Sequence, residues 1–137
     1  MTRSPAVPGG TLVLDSEGLA EAVLRDRAVT GWLALARADD LRVITSAATP
    51  VEVTHPRINR PALEWTLSRL VVEPVTESIA PHAAALLAET SLQGHKYAID
   101  ATLSATALTA SGPVTVLTSA PDDLAALCGG RVTVIKV

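Results

Sequence analysis

Four acidic residues stand where apolar runs of this chain stop: Asp15 after TLVL, Glu52 in TPVEV, Asp100 in YAIDATLSATAL and Asp123 in VLTSAPDDL. Carboxylates scattered in sequence become a metal site when a fold gathers them at one point. Hard divalent cations take oxygen ligands, and Mg2+ is held by a few carboxylates together with waters and substrate phosphates. The chemistry this pattern points to is metal-assisted attack on a phosphodiester. His95 and Lys96, just ahead of Asp100, could reach a phosphate near such a metal.

The elements between these acids alternate. TLVLD reads as a buried parallel strand, followed by a helix over Ser16 to Arg27 with Leu19, Ala22 and Val23 at helical spacing. A second helix is expected over Thr30 to Ala38, then a strand over Arg42 to Thr45 and a helix that carries Glu52 and stops near Pro56. Pro61 to Leu70 reads as helical, and VVEPV as a short or edge strand, because Pro74 cannot donate to a ladder. Helices over Ile79 to Leu92, with Gly94 as terminator, and over Ala98 to Ala110 come next. VTVLT is a strand, Pro121 to Cys128 a short helix and VTVIKV a final strand. Strands alternating with helices predict a three-layer α/β/α fold with a mostly parallel central sheet. Ligands of such sheets bind outside the carboxyl ends of the strands, near the point where strand order reverses. Asp15, Asp123, Asp100 and Glu52 would all stand on that rim, where four carboxylates repel until their pKa values rise or a metal binds.

Composition narrows the rest. The 137 residues, 48% of them hydrophobic, make one core-forming domain, expected over 11–137 behind a loose, aperiodic N-terminal tail over 1–10. A formal charge of -3 argues against non-specific wrapping of nucleic acid by a broad basic surface, so any nucleic acid must meet a local patch. Arg25, Arg27, Arg37, Arg57, Arg60 and Arg69 are spread along helices and read as a solvated face. With Phe absent, Trp32, Trp65 and Tyr97 are the only aromatics, which speaks against stacking platforms of the single-strand-binding kind and makes the two Trp core or interface anchors. One cysteine and no apolar leader suggest the cytoplasm, and no apolar run approaches the ~20 residues that would span a membrane.

LVLDSEGL, the Glu52 helix, AIDATLSATAL with Asp100 in an Asp-Ala-x-x-x-Ala setting, and VLTSAPDDL with its Thr-to-Asp-Leu turn occur in an order and spacing that resembles PIN-domain ribonucleases, most like the VapC-type toxins of toxin–antitoxin modules. The resemblance covers Thr11 to Val137 and implies a PIN-like fold. It further implies that Asp15, Glu52, Asp100 and Asp123 form the catalytic acidic cluster, binding one or two Mg2+ or Mn2+ ions for hydrolysis of RNA. Ser16 and Thr118 would hold waters or orient the carboxylates. An antitoxin protein and a homodimer are the partners implied. The chain departs from the family at Ala120, where Asp or Asn is usual, and Ala cannot coordinate a second metal. That departure motivates the alternative of a PIN-like module that binds RNA or a partner without cutting.

Each acid also has a purely structural reading. Asp15 could cap the helix that follows it. Thr49-Pro50-Val51-Glu52 and Ser119-Ala120-Pro121-Asp122 both have the form of capping boxes, which makes Asp123 a better site candidate than Asp122. Asp100, in a helix of small residues made for close packing, resists that reading most. LVLDSEGL is superficially similar to the Asp-x-Asp-Gly opening of haloacid dehalogenase-type phosphatases, but Glu17 replaces the second Asp and no suitable Lys follows a later strand. A receiver domain lacks its paired acids at the first strand.

Overall fold

The computed structural model describes residues 9–137. Of the tail expected over 1–10, residues 1–8 lie outside the described residues, whereas Gly10 is built into the sheet's lead-in: its carbonyl accepts from Arg42 N at 3.1 Å. Gly10 has φ +83, and a Cβ there would stand 2.5 Å from the Pro113 carbonyl, so glycine alone fits.

Among the described residues, five strands are separated by one or two helices each, seven helices in all. They are β1 (Thr11–Leu14), α1 (Ser16–Val23), α2 (Arg27–Ala38), β2 (Arg42–Ser46), α3 (Thr49–Val53), α4 (Arg60–Ser68) and β3 (Val71–Glu73), then α5 (Ile79–Thr90), α6 (Gly94–Thr109), β4 (Val114–Thr118), α7 (Pro121–Cys128) and β5 (Thr133–Lys136). The sheet order is β3-β2-β1-β4-β5 and every pairing is parallel. Alternation along β1 assigns the faces. Leu12 and Leu14 pack with Leu19, Val29, Val53 and Leu63 of α1 to α4, while Val13 packs with Ile44, Leu103, Val116 and Leu124 on the side of α6 and α7. Helix α5 completes that second layer through Ile79, Ala83 and Leu86, against Ala101, Ala105 and Leu127. The result is the expected three-layer sandwich, with β3 at an edge and ending before Pro74. No helix among the described residues is long and apolar enough to cross a membrane.

The structure revises several boundaries. The helix expected over Ser16 to Arg27 stops at Val23, because Arg25 takes φ +58 and Asp26 caps α2 through Val29 N at 3.1 Å. Gly94 does not terminate α5; it opens α6. The left-handed stop is Ser91, at φ +57, followed by the Leu92 N to Leu87 O bond at 3.1 Å that closes a Schellman-type end. Asp100 therefore lies at the end of the second turn of α6, not in the first turn of a helix beginning at Ala98.

Neither capping box forms. Helices α3 and α7 begin at Ala48 and Ala120 with no side-chain cap. The hydroxyls that end the preceding strands take the role: Ser46 Oγ accepts from Ala48 N at 3.2 Å, and Thr118 Oγ1 from Ala120 N at 2.9 Å. These are i to i+2 hydroxyl turns, which compete locally with a cap.

Candidate active site at the strand switch point

The chain leaves β1 toward β2 and β3 on one side and returns to β4 and β5 on the other, so strand order reverses between β1 and β4. That is where an open parallel sheet leaves a crevice beyond its carboxyl ends. Asp15 directly follows β1, Thr118 ends β4, and α7 carries Asp123 on its first turn. Gly18 lets α1 start over this crevice: a Cβ there would stand 2.9 Å from the Leu117 carbonyl. Thr45 ties the ends of β2 and β1 by donating to the Leu14 carbonyl at 2.7 Å.

Asp15 is only 5% exposed. Its Oδ1 accepts from Gly18 N at 2.8 Å, so the carboxylate does cap α1, and it also accepts from the Thr118 hydroxyl and Glu17 N. Burial raises its pKa, and those hydrogen bonds pull it partly back. Capping uses one oxygen and leaves lone pairs toward the crevice.

Asp100 is the most perturbed acid. Burial pushes its pKa up to about 6, and the negative charges of Glu52, Asp15 and Asp123 push in the same direction. The four acids named from the sequence thus share one electrostatic neighbourhood, although they come from four different helices and helix starts. No hydrogen bond holds the Asp100 carboxylate among the described residues, and none of the four acids makes an ion pair there. Asp123 is half-buried and Asp122 exposed, as expected if Asp123 faces the crevice. Glu52 is exposed at the crevice mouth and caps nothing.

The donor set is uniformly hard oxygen, and it comes with orphaned polar atoms: the hydroxyls of Ser16 and Thr49 are buried without a hydrogen-bond partner. Such a set suits Mg2+ or Mn2+ rather than a thiophilic metal. The carboxylates interact at longer range than a coordination sphere, since no group of three or more His, Cys, Asp or Glu among the described residues is close enough to hold an ion as it stands. A cation would therefore be held by a few carboxylates and completed by water, which is the habit of Mg2+.

His95 and Lys96 lie exposed on the first turn of α6, and Lys96 Nζ rests 5.2 Å from the Tyr97 ring centre. Every charge that perturbs Asp100 is negative, so neither residue counters the cluster. A feature the sequence reading missed is a cleft of about 780 Å³ between α1, α3 and the turn into α4. It is lined by Ser16 and Glu52 at one end and by Arg25, His55 and Arg57 beyond them. Nothing in the local sequence marks it, because its walls come from three separated segments.

No family model matches the chain, and no curated protein matches it. Solved structures do. The chain is similar to the crystal structure of VapBC2 from Rickettsia felis bound to a DNA fragment from their promoter, at 14% identity and TM-score 0.67, over 93% of this chain and 98% of that one. It is also similar to the structure of FitAB bound to an IR36 DNA fragment, at 21% identity and TM-score 0.61, over 91% of this chain and 94% of that one. Likeness over nearly the whole of both chains, with an all-parallel sheet of order β3-β2-β1-β4-β5, shows that this chain has the PIN-like fold.

Proposed function

We propose that the protein is a metal-dependent endoribonuclease, the toxin of a toxin–antitoxin pair acting in the cytoplasm, with Asp15, Glu52, Asp100 and Asp123 as its acidic centre. The observation that carries this reading is Asp100 at the strand switch point, whose carboxyl is pushed up to about 6 by burial and then by the charges of Glu52, Asp15 and Asp123, with no ion pair to balance it among the described residues. Such an arrangement costs folding free energy unless a positively charged ligand shares it. The likeness to VapBC2 and FitAB supports the same reading at the level of fold.

Asp15, Asp100 and Asp123 would hold Mg2+ or Mn2+, which when bound would lower the pKa of an attacking water and neutralise charge on the phosphate. The chain's own residues prepare that event. Gly18 N and the Thr118 hydroxyl fix the plane of the Asp15 carboxylate, so its free lone pairs keep one direction. Ser16 Oγ, buried and unpartnered beside Asp15, would hold a water or a phosphate oxygen. Glu52 at the mouth is free to take a proton from an incoming water. An antitoxin segment covering the crevice, and pairing of two copies of the chain, complete the proposed module.

Cleavage of a total-RNA pool by the purified protein with Mg2+, with Mn2+ and with EDTA, beside Asp100→Asn, tests this. Metal-dependent cleavage that disappears in the folded variant is expected; cleavage unchanged in that variant discards the assignment. Ala120 favours a second reading, a module that binds without cutting, because it begins α7 with a methyl where the pattern of the family that the sequence resembles has Asp or Asn. That reading expects no cleavage by the wild type and metal-dependent cleavage by Ala120→Asp.

A further inference from the structure

A threonine inside a helix has a ready outlet for its hydroxyl, the carbonyl four residues back, and Thr66, Thr90, Thr102, Thr106 and Thr109 all use it. Buried threonines of the strands find partners too: Thr11 donates to the Ser111 carbonyl and Thr45 to that of Leu14, both at 2.7 Å. Thr49 is the exception. It is 0% exposed, and its Oγ1 has no hydrogen-bond partner. Its place in the fold explains why. As the first residue of α3 it has no helical carbonyl one turn back, and the local turn is already closed by Ser46 Oγ, which accepts from Ala48 N. Ser16, the first residue of α1, shares that predicament, since Asp15 caps the helix through Gly18 N and leaves Ser16 Oγ buried without a partner. The third such hydroxyl, Ser104, lies beside Cys128; burial raises that thiol's pKa and Ser104 pulls it partly back. A buried hydroxyl without a partner costs free energy that a later partner can return.

Helix α3 packs on both α1 and α6, so Thr49 stands where the helices associated with Asp15, Glu52 and Asp100 meet. Ser16 and Glu52 line one cleft wall at the same junction. We propose that Thr49, together with Ser16, is a positioning residue of the acidic centre, its hydroxyl taking up a water of a hydrated Mg2+ or Mn2+ ion. The inference rests on the metal-centre reading above and adds to it a residue that carries no charge. The chemistry favours the water over the ion itself. A neutral hydroxyl is a weak ligand beside carboxylates, and the acids among the described residues are too far apart to fill a coordination sphere unaided. The waters that complete such a sphere turn their protons outward and need acceptors. Each hydroxyl offers lone pairs to one of those protons and keeps its own O–H for a neighbouring oxygen. Because it is neutral, it can stand buried at this rim, where a further carboxylate would push Asp100 still higher.

Mn2+ alone is the probe. Protein stripped with EDTA is titrated with Mn2+ at pH 7 in the absence of RNA, the free ion is read by electron paramagnetic resonance, and melting in EDTA is recorded beside it. Thr49→Val keeps the shape and removes the hydroxyl, and Thr49→Ser keeps the hydroxyl. Ser104→Ala removes the hydroxyl beside Cys128, at the far end of α7 from Asp123. Thr49→Val should weaken Mn2+ binding about tenfold or more, the usual loss when a hydrogen-bonding partner just outside a metal's ligands is removed. Thr49→Ser should stay near wild type, and Ser104→Ala should leave the affinity unchanged. In EDTA, Thr49→Val should melt no lower than wild type, since no group of the protein loses a partner. Thr49→Ala carries the same expectation for affinity should valine not be accommodated, and Ser16→Ala should weaken Mn2+ binding likewise. Equal affinity in wild type and in the variants lacking the Thr49 hydroxyl overturns the proposal, and so does an equal loss in Ser104→Ala. A fall in melting temperature in EDTA with the affinity unchanged also overturns it, by making the hydroxyl part of the scaffold. A wild type that binds no Mn2+ removes the metal centre and this inference with it, whereas Mn2+ bound equally by both proteins removes Thr49 alone.

Discussion

Removing the central acid should make the metal-free protein more stable. Asp100 has a pKa of about 6 in the fold against an ordinary 3.8, and each pKa unit is worth 1.36 kcal/mol of interaction with the charge, so its ionised form costs up to about 3 kcal/mol. Solvent screening of this partly exposed carboxyl reduces the expected effect to about 1–2 kcal/mol. Asn keeps the shape, removes the charge and breaks no hydrogen bond, since none holds the carboxylate among the described residues. The sign follows from linkage: between pH 3.8 and about 6 the native state binds the proton that the unfolded chain has released, so wild-type stability falls through that window as pH rises. Asp100→Asn should match wild type below pH 3.8, gain on it across the window, and stay about 1–2 kcal/mol more stable above pH 6. In EDTA at pH 7 that is a rise in Tm of roughly 3–8 °C for a domain of this size. Saturating Mg2+ should close the gap by stabilising the wild type, by about 2.7 kcal/mol at a hundredfold excess over Kd. Calorimetric or denaturant curves over the pH series read all of this. A variant no more stable than wild type at pH 7, or a gain independent of pH, refutes the claim that burial and the neighbouring acids penalise the Asp100 carboxylate.

Three further substitutions separate chemistry from scaffolding. Asp15→Ala should cost about 1 kcal/mol in denaturant unfolding through the lost cap on Gly18 N, whereas Asp15→Asn keeps the cap and should lose RNA cleavage with little loss of stability. Glu52→Gln, exposed and capping nothing, should stay within about 0.5 kcal/mol of wild type while cleavage falls; with the largest neighbouring charge gone, an NMR titration of Asp100 should show its pKa below about 6. Gly18→Ala, ordinarily stabilising inside a helix by about 1 kcal/mol, should destabilise here, since its Cβ would meet the Leu117 carbonyl at 2.9 Å; equal or higher Tm would show that α1 can move off the crevice.

The strands were legible because buried parallel strands are short apolar runs, and TLVL, RVIT and VTVLT stand out between polar turns. Asp15, Glu52 and Asp123 were legible because each follows or soon follows a strand end, whereas Asp100, separated from β3 by α5 and lying inside α6, stood out only as an acid in a helix of small residues. Helix ends were less so. Gly94 looked like a terminator because glycine favours the left-handed turn, yet Ser91 makes that turn through backbone bonds to α5, and propensity gave way to local bonding. The capping boxes failed for a related reason: Ser46 and Thr118, still inside their strands, reach the first amides of the following turns before the intended caps can. The cleft lined by Ser16, Glu52 and Arg57 was illegible because its walls come from separated segments, brought together by the packing of α1 against α3 and α4.

The same hydroxyl turns bear on how the rim works. Thr45 spends its hydroxyl on the Leu14 carbonyl, Ser46 on Ala48 N, and Thr118 on Ala120 N and Asp15. The backbone groups exposed where β1, β2 and β4 end are thus satisfied from within the sheet, without drawing on Glu52, Asp100 or Asp123. If Glu52 had closed its capping box, its carboxylate would have turned back to Thr49 N instead of standing uncommitted at the crevice mouth. Because strand-end hydroxyls do that work, the oxygens left over at the switch point are three uncommitted carboxylates, the free lone pairs of Asp15 and the unpartnered hydroxyls of Ser16 and Thr49. A rim with its backbone satisfied leaves the electrostatic cost of Asp100 uncompensated within the protein, and the proposed cation would recover it.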